Sequence, residues 1–571
     1  MESIVIAVVA FVGYVIAYNT YGRYLSRKVF HLDPDRETPS HTCEDGIDFV
    51  PTRKQIIFGH HFTSIAGTGP IVGPAIGIIW GWVPALLWIF LGSIVMGAVH
   101  DFGALVVSLR HRGRSLADIT GTIMNQHLRF MFFAIVFLAL IIVIAIFGMV
   151  IAVLFDQYPE SVFPVWIQIP IAVSLGWAVY RRNAPLNRTT VVAVLAMYLT
   201  IVVGAYLPLQ MPAVAGIPAT GVWTIILLIY AYVASTLPVT TLLQPRDFIN
   251  AWQLLVAMGL LLLGVFLSSP EMVAPAVNLS PAGAPPILPF LFITIACGAI
   301  SGFHCLVAGG TSSKQVNREP DAQFVGYGSM LTEGYLAILV LIACGAGLAL
   351  GFTTDNGQVL TGAAAYQNQY AGWTEGRGLR ANVAAFVVGG ANMIEAVGVP
   401  HQIGLILMGV FVASFAGTTL DTATRIQRYV ISEMASDLGI GVLQRRHPAT
   451  LLAVVTAAAL AFYNGAGGAG AKTLWPLFGS VNQVLAGLGL LVVTYYLKQK
   501  GRNYLVALIP ALAVLAVTSW ALVLTLLSMY DQGNVPSLVI GGLALALEIW
   551  LAVEGLSLLV RRPAPSPAPG G

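Results

Sequence analysis

The chain has 571 residues, 57% of them hydrophobic and only 9% charged, against roughly 25% charged in a soluble domain, which excludes a soluble fold. Its 28 Lys and Arg nearly balance 25 Asp and Glu, for a net charge of +3, so no broad basic face exists for a nucleic-acid partner. Disorder is expected only in the Pro-rich tail 561–571, predicted to be cytoplasmic.

A membrane helix needs about 20 mainly apolar residues. Such stretches begin near residues 3, 57, 82, 130, 161, 189, 222, 251, 288, 326, 402, 449, 471, 503 and 536. They predict an all-α polytopic membrane protein of about fifteen transmembrane helices. The first carries Glu2 in place of a basic n-region, and no small-residue cleavage site follows, so 1–24 reads as an uncleaved anchor. A cytoplasmic loop is expected at 25–56, a first helical half at 57–270, a second at 271–530 and a last helix at 531–560. With the first helix running outside to inside, 25 of the 28 basic residues fall on cytoplasmic loops, Arg246, Arg561 and Arg562 among them. Only Arg377, Arg380 and Lys472 are left outside. That bias puts the N-terminus outside and the C-terminus in the cytoplasm.

The second stretch, GHHFTSIAGTGPIVGPAIG, carries Gly67, Gly69, Pro70, Gly73 and Pro74 in its middle. Backbone freed by Gly and Pro is tolerated in a bilayer only where it lines a cavity, so this helix is expected to break. In the third stretch Asp101 follows His100. The ninth ends ISGFHCLVAGGTSSK, where Gly59, His61, Gly67 and Thr68 recur 243 residues later as Gly302, His304, Gly310 and Thr311. The two stretches run in opposite directions, the relation of inverted-topology repeats, which place a substrate site near the bilayer midplane. Seven-plus-seven and five-plus-five repeats both fit. Glu333 lies one span after the second break, as Asp101 lies one span after the first.

The stretch 381–399 is interrupted by Gly389, Gly390, Asn392 and Glu395 and reads as a re-entrant or surface-packed segment. FAGTTLDTATRIQR sets Thr418, Thr419, Asp421 and Thr422 near the inner surface, where they could complete a cation or proton site against the second stretch. Glu548, in the last helix, reads as a packing or oligomer-interface residue. Intramembrane carboxylates are costly and are functional candidates by default. His60, His61 and His304 sit at the broken helices, and an imidazole titrates near neutral pH. Cys43, Cys297, Cys305 and Cys344 lack metal spacing and read as buried small hydrophobes. No H-E-x-x-H or phosphate loop occurs, which disfavours a metalloprotease and an ATP-driven pump.

The blocks EDGIDFVPTRKQIIFGHHFTSIAGTGPIVGP, DFGALVVSLRHRGRSL, SGFHCLVAGGTSSKQVNREPDAQFVGYGSMLTEG, LPVTTLLQPRDF and LWPLFGSVNQVLAG closely resemble the carbon starvation protein A (CstA) family of prokaryotic inner-membrane transporters. The resemblance implies a secondary transporter of the amino acid, polyamine and organocation type. It also implies uptake of peptides in carbon starvation or of pyruvate with protons. The chain is shorter than the longest members, which implies helices missing near its C-terminus. The motif near Asp421 matches more loosely.

A carrier of small carboxylate-bearing solutes, pyruvate or peptides, is therefore expected, lying in the lipid bilayer, with oligomers possible. It needs no cofactor beyond H⁺ or Na⁺ as coupling ion, and no metal site or catalysis is expected. Substrate is expected at His61, Gly67, Thr68, Gly69, His304, Gly309, Gly310 and Thr311. The coupling proton is expected at Asp101 or Glu333, with Asp421 as a further site. The inner arginines are expected to fix topology. A membrane-embedded metal-dependent enzyme is one alternative, and a channel or nutrient sensor is another.

Overall fold

The computed structural model describes residues 1–354, 356–373, 378–468 and 470–560; Arg377, Arg561, Arg562 and the tail 561–571 lie outside the described residues. The architecture is helical, with one two-stranded antiparallel ribbon at Phe352–Thr353 and Val359–Leu360. The helices that matter for the site are α1 (Glu2–Ala17), α2 (Lys54–Ala66), α3 (Gly69–Gly77), α4 (Trp82–Leu109), α5 (Gln126–Gln157), α6 (Pro159–Arg181), α7 (Leu186–Gly204), α8 (Ala219–Thr236) and α9 (Leu243–Ser268). They continue as α10 (Ile287–Thr294), α11 (Gly302–Gly310), α12 (Gln323–Leu350), α13 (Leu379–Glu395), α14 (His401–Asp437), α15 (Arg446–Phe462), α16 (Trp475–Gln499), α17 (Leu505–Asp531) and α18 (Val535–Val560).

Each of the fifteen expected stretches contains helix, but among the described residues only twelve helices are long and apolar enough to cross a bilayer, or thirteen with the bent pair α2–α3 counted as one span. Two stretches fall short. Helix α15 has 17 residues, and the ninth stretch is split into α10 and α11, of 8 and 9 residues. The helices on the periphery, such as α1 and α7, turn Val5, Phe11, Val192 and Leu195 outward, as the surface of a membrane protein requires. The interior is packed with Ala, Ile, Val and Phe from α4, α5, α12, α14 and α16.

Two features correct the expectation from sequence. Helix α13 is not packed on the surface: it lies inside, against α12 and α14. Gly389 lies so close to α12 that a Cβ there would sit 2.1 Å from the Ala343 carbonyl oxygen. The second correction concerns the repeat register. The first break is at Gly67–Thr68, where α2 and α3 bend by 43°. The second is at 295–301, between α10 and α11. The 243-residue match therefore pairs a break with the far end of α11, because it aligned two Gly-rich sequences rather than two interruptions.

Candidate functional site

Gly67 adopts φ +20° and ψ −145°, a backbone that a residue with a Cβ rarely takes. It ends α2 and frees the first turn of α3. A Cβ on Gly69, the first residue of α3, would lie 2.3 Å from Cys297 Sγ, so glycine lets the two breaks touch. Above this contact opens a cavity of about 600 Å3, walled by Phe290, Trp373, Trp475, Phe478 and Met529 and floored by Gly69, Cys297 and Gly479. No Asp, Glu, Lys, Arg or His lines it among the described residues. Asn482 holds the second break in shape. Its Oδ1 accepts the Phe303 N–H at 2.8 Å and its Nδ2 donates to Ser301 Oγ at 3.0 Å, supplying the donor-satisfying cap that the start of α11 needs.

Next to the breaks, three helices bring ionisable groups together. Asp101 of α4 lies between two imidazoles, 2.8 Å from His100 Nδ1 and 2.9 Å from His304 Nδ1. The other ring nitrogen of His304 is 3.3 Å from Glu333 Oε2 of α12. All four side chains are buried. An imidazole between two carboxylates can take a proton from one and pass it to the other.

A second buried cluster gathers around Arg246. Its guanidinium bonds Asp247 (2.7 Å), both carboxylate oxygens of Asp421 and the Tyr230 hydroxyl. Asp247 Oδ2 in turn accepts from His60 Nδ1 at 2.7 Å. His60 and His61 are adjacent on α2, so they point about 100° apart. Each meets a hydroxyl from the end of α11. Thr311 Oγ1 is 3.0 Å from His60 Nε2, and Ser312 Oγ is 2.8 Å from His61 Nδ1. Ser313 accepts from Ser108 of α4 at 2.8 Å. His61 Nε2 has no hydrogen-bond partner among the described residues.

The segment 44–53 packs against the end of α11 and against α14. Asp45 accepts the backbone N–H groups of Ile47, Asp48 and Phe49 at 2.8–2.9 Å, curling the segment. Asp48 then bonds Arg425 (2.8 Å) and Arg428 (3.1 Å) of α14. Val50 and Thr52 donate to the carbonyls of Lys314 and Gln315. Burial alone would raise the Asp48 carboxyl, but Arg428, Arg425 and Lys314 hold it down at about 2. Burial lowers Lys314 to about 8 against the pull of Asp48.

Of the residues expected to contact substrate, Gly69 lines the cavity. Gly67 and Thr68 form the break, with Gly67 against Thr419 and Phe147. His304 joins the first carboxylate cluster. Gly309, Gly310 and Thr311 sit at the far end of α11, about 13 Å of helix from its start, packed against α14 and the Arg114–Leu116 turn. The expected proton groups separate likewise: Asp101 and Glu333 meet at His304, whereas Asp421 belongs to the Arg246 cluster. Arg246 is not a loop residue, because α9 begins at Leu243 and carries it into the interior at 4% exposure. The missed residues are Tyr230, Arg246, Asp247 and Asn482. An Arg-Asp pair following Pro245 at a helix start was the available signal for two of them. Glu548 is buried between α18 and its neighbours.

A family model described as carbon starvation protein CstA matches residues 2–521. The peptide transporter CstA of Campylobacter jejuni is 33% identical, over 94% of this chain and 82% of its own length. The pyruvate/proton symporter BtsT of Escherichia coli K12 is 33% identical, over 91% of this chain and 81% of its own. The peptide transporter CstA of Bacillus subtilis is 32% identical, over 91% and 89%. Among solved structures, MhsT in complex with L-phenylalanine aligns at a TM-score of 0.47 and 12% identity, over 82% of this chain and 99% of that one. A manganese transporter mutant of Eremococcus coleocola aligns at 0.42 and 12%, over 90% and 99%. With the family model spanning nearly all of the chain and these relatives a third identical to it, the chain belongs to the CstA carbon starvation family of membrane transporters.

Proposed function

We propose that this chain is a proton-coupled secondary carrier of the cell inner membrane that takes up small carboxylate-bearing nutrients, pyruvate or short peptides, in response to carbon starvation. The observation that carries the reading is the contact of two helix breaks at the floor of a cavity, with Asp101, His304 and Glu333 buried next to them. In this reading the substrate carboxylate meets the Gly69 N–H at the start of α3, where the half-helix dipole favours an anion; Pro70 has no N–H, and Ile71 and Val72 donate to the Thr68 carbonyl. Gly67, Thr68 and Gly69 supply backbone contacts together with 297–301, and His61 supplies its free nitrogen. The residues Gly309, Gly310 and Thr311 close the path below. The proton is taken as the coupling ion because one relative is a pyruvate/proton symporter and because the buried groups beside the breaks are carboxylates and an imidazole, which bind protons.

The finer architecture in this reading has fifteen membrane crossings, with α10–α11 and α15 among them. The N-terminus lies outside and the C-terminus inside, so the cavity faces outward and 44–53 forms the inner closure. The halves 57–270 and 271–530 form an inverted repeat whose register sets 67–68 against 295–301. No catalytic step belongs to it.

Counterflow of labelled pyruvate and labelled alanylalanine in proteoliposomes tests the carrier. Exchange of at least one is expected, and exchange of neither overturns the reading. Asp101→Asn and Glu333→Gln are each expected to lower accumulation driven by a pH gradient while leaving exchange in place. Normal accumulation by both variants removes the proton assignment.

A further inference from the structure

The cluster around Arg246 holds an unbalanced charge. Asp247 and Asp421 share one guanidinium, and the three side chains are at most 4% exposed. Two carboxylates against one arginine leave a net negative charge where an uncompensated charge is strongly unfavourable. His60 is the group placed to balance it, with Nδ1 bonded to Asp247 at 2.7 Å. Its second nitrogen faces the Thr311 hydroxyl at 3.0 Å, and that hydroxyl also lies 3.1 Å from the Val307 carbonyl oxygen. A hydroxyl donates one hydrogen and can accept as well. Turned toward Val307, Thr311 accepts from His60 Nε2–H, and His60 is an imidazolium. Turned toward His60, it donates to a bare Nε2, and His60 is neutral. Both states fit without moving a heavy atom.

We infer that His60, paired with Asp247, is a second proton-binding site, separate from the one formed by Asp101, His304 and Glu333. The other titratable or charged groups facing it are Arg246 of α9, Tyr230 of α8, Asp421 and Arg425 of α14, and its neighbour His61 on α2. Arg425 is itself tied to Asp48. The site joins α2 to α9, to the end of α11 and, through Ser64 and Thr422 (3.2 Å), to α14. These are the elements that must part for the closed end to open. With the proton on Nε2 the cluster is neutral and can stay dry. When the N–H bond breaks and the proton passes to water, one uncompensated negative charge remains and draws water in, which favours opening. The coupling role rests on the carrier reading above; the proton site does not.

The test is a titration of the protein in nanodiscs with ¹⁵N-labelled histidine, using His60→Gln to assign the His60 resonances. His60 is expected to change protonation in the course of the titration, and Asp247→Asn to make its proton easier to remove. A single protonation state throughout, or a midpoint indifferent to Asp247→Asn, overturns the site. Transport supplies the second readout, with labelled pyruvate and alanylalanine as probes and the membrane potential clamped at zero. Wild type is expected to sustain about a 100-fold substrate gradient per pH unit and His60→Gln about 10-fold, one power of ten per coupled proton. Equal ratios overturn the coupling role. If neither probe moves in wild type, the carrier reading fails while the titration still decides the proton site.

Discussion

The two buried charge clusters differ in their charged groups: only one of them holds an arginine. Around His304 there are carboxylates and imidazoles with no arginine, so every member can gain or lose a proton. Around Arg246 a permanent cation is bound by two carboxylates, and the one imidazole, His60, is added at the edge. A cluster without arginine can change its charge at the point where substrate is expected to bind. A cluster with arginine holds helices together and changes charge at a single position. On the proposed reading, the contrast separates the group that loads a proton from the group that keeps the far end closed.

Removing the cation should break this contrast most strongly. Arg246→Met leaves Asp247 and Asp421 buried and uncompensated, and a loss of about 3–5 kcal/mol is expected, read as a large fall in the detergent melting temperature. Adding Asp421→Leu should restore part of it. No difference between wild type and Arg246→Met would mean that the arginine does not hold the cluster.

The closure at 44–53 should respond to pH in a defined direction. Asp48 is held at about 2 in the folded protein, below its ordinary value of about 3.9. A depressed carboxylate stabilises above its unfolded pKa, and the contribution fades as pH falls through the folded one. Asp48→Asn should therefore cost about 2 kcal/mol at neutral pH, with the two proteins converging between about pH 4 and pH 2. Parallel curves would show that Arg425 and Arg428 are not pairing with it.

The smallest effect is expected at Asn482, which bears on the His304 cluster alone. Asn482→Ala leaves the Phe303 N–H without a partner and Ser301 with only the Cys297 thiol, at about 1–2 kcal/mol. Because α11 carries His304, pH-driven uptake should fall more than counterflow. An equal fall in both would mark Asn482 as a packing residue.

The membrane class, the helix positions and the break at Gly67–Thr68 were legible in the sequence, because hydropathy and Gly/Pro content act over a few neighbouring residues. So were Asp101 and Glu333, since any carboxylate within an apolar stretch stands out. Less was readable where the partner is distant. Arg246 looks like a loop cation until α9 is seen to start at Leu243, and its partner Asp421 is 175 residues away. The second interruption, at 295–301, carries no proline and a single glycine, Gly298, so a match of glycines drew attention to the other end of α11.

What the sequence determined alone, then, is a helical membrane protein of this family with carboxylates stranded in its spans. Only the tertiary structure decided which of them share an imidazole. His60 and His61 are neighbours in the chain, yet one turns toward Asp247 and Thr311 and the other toward Ser312. The reason is geometric: a helix turns about 100° per residue, so adjacent side chains serve different neighbours, and the identity of those neighbours depends on how α9, α11 and α14 pack.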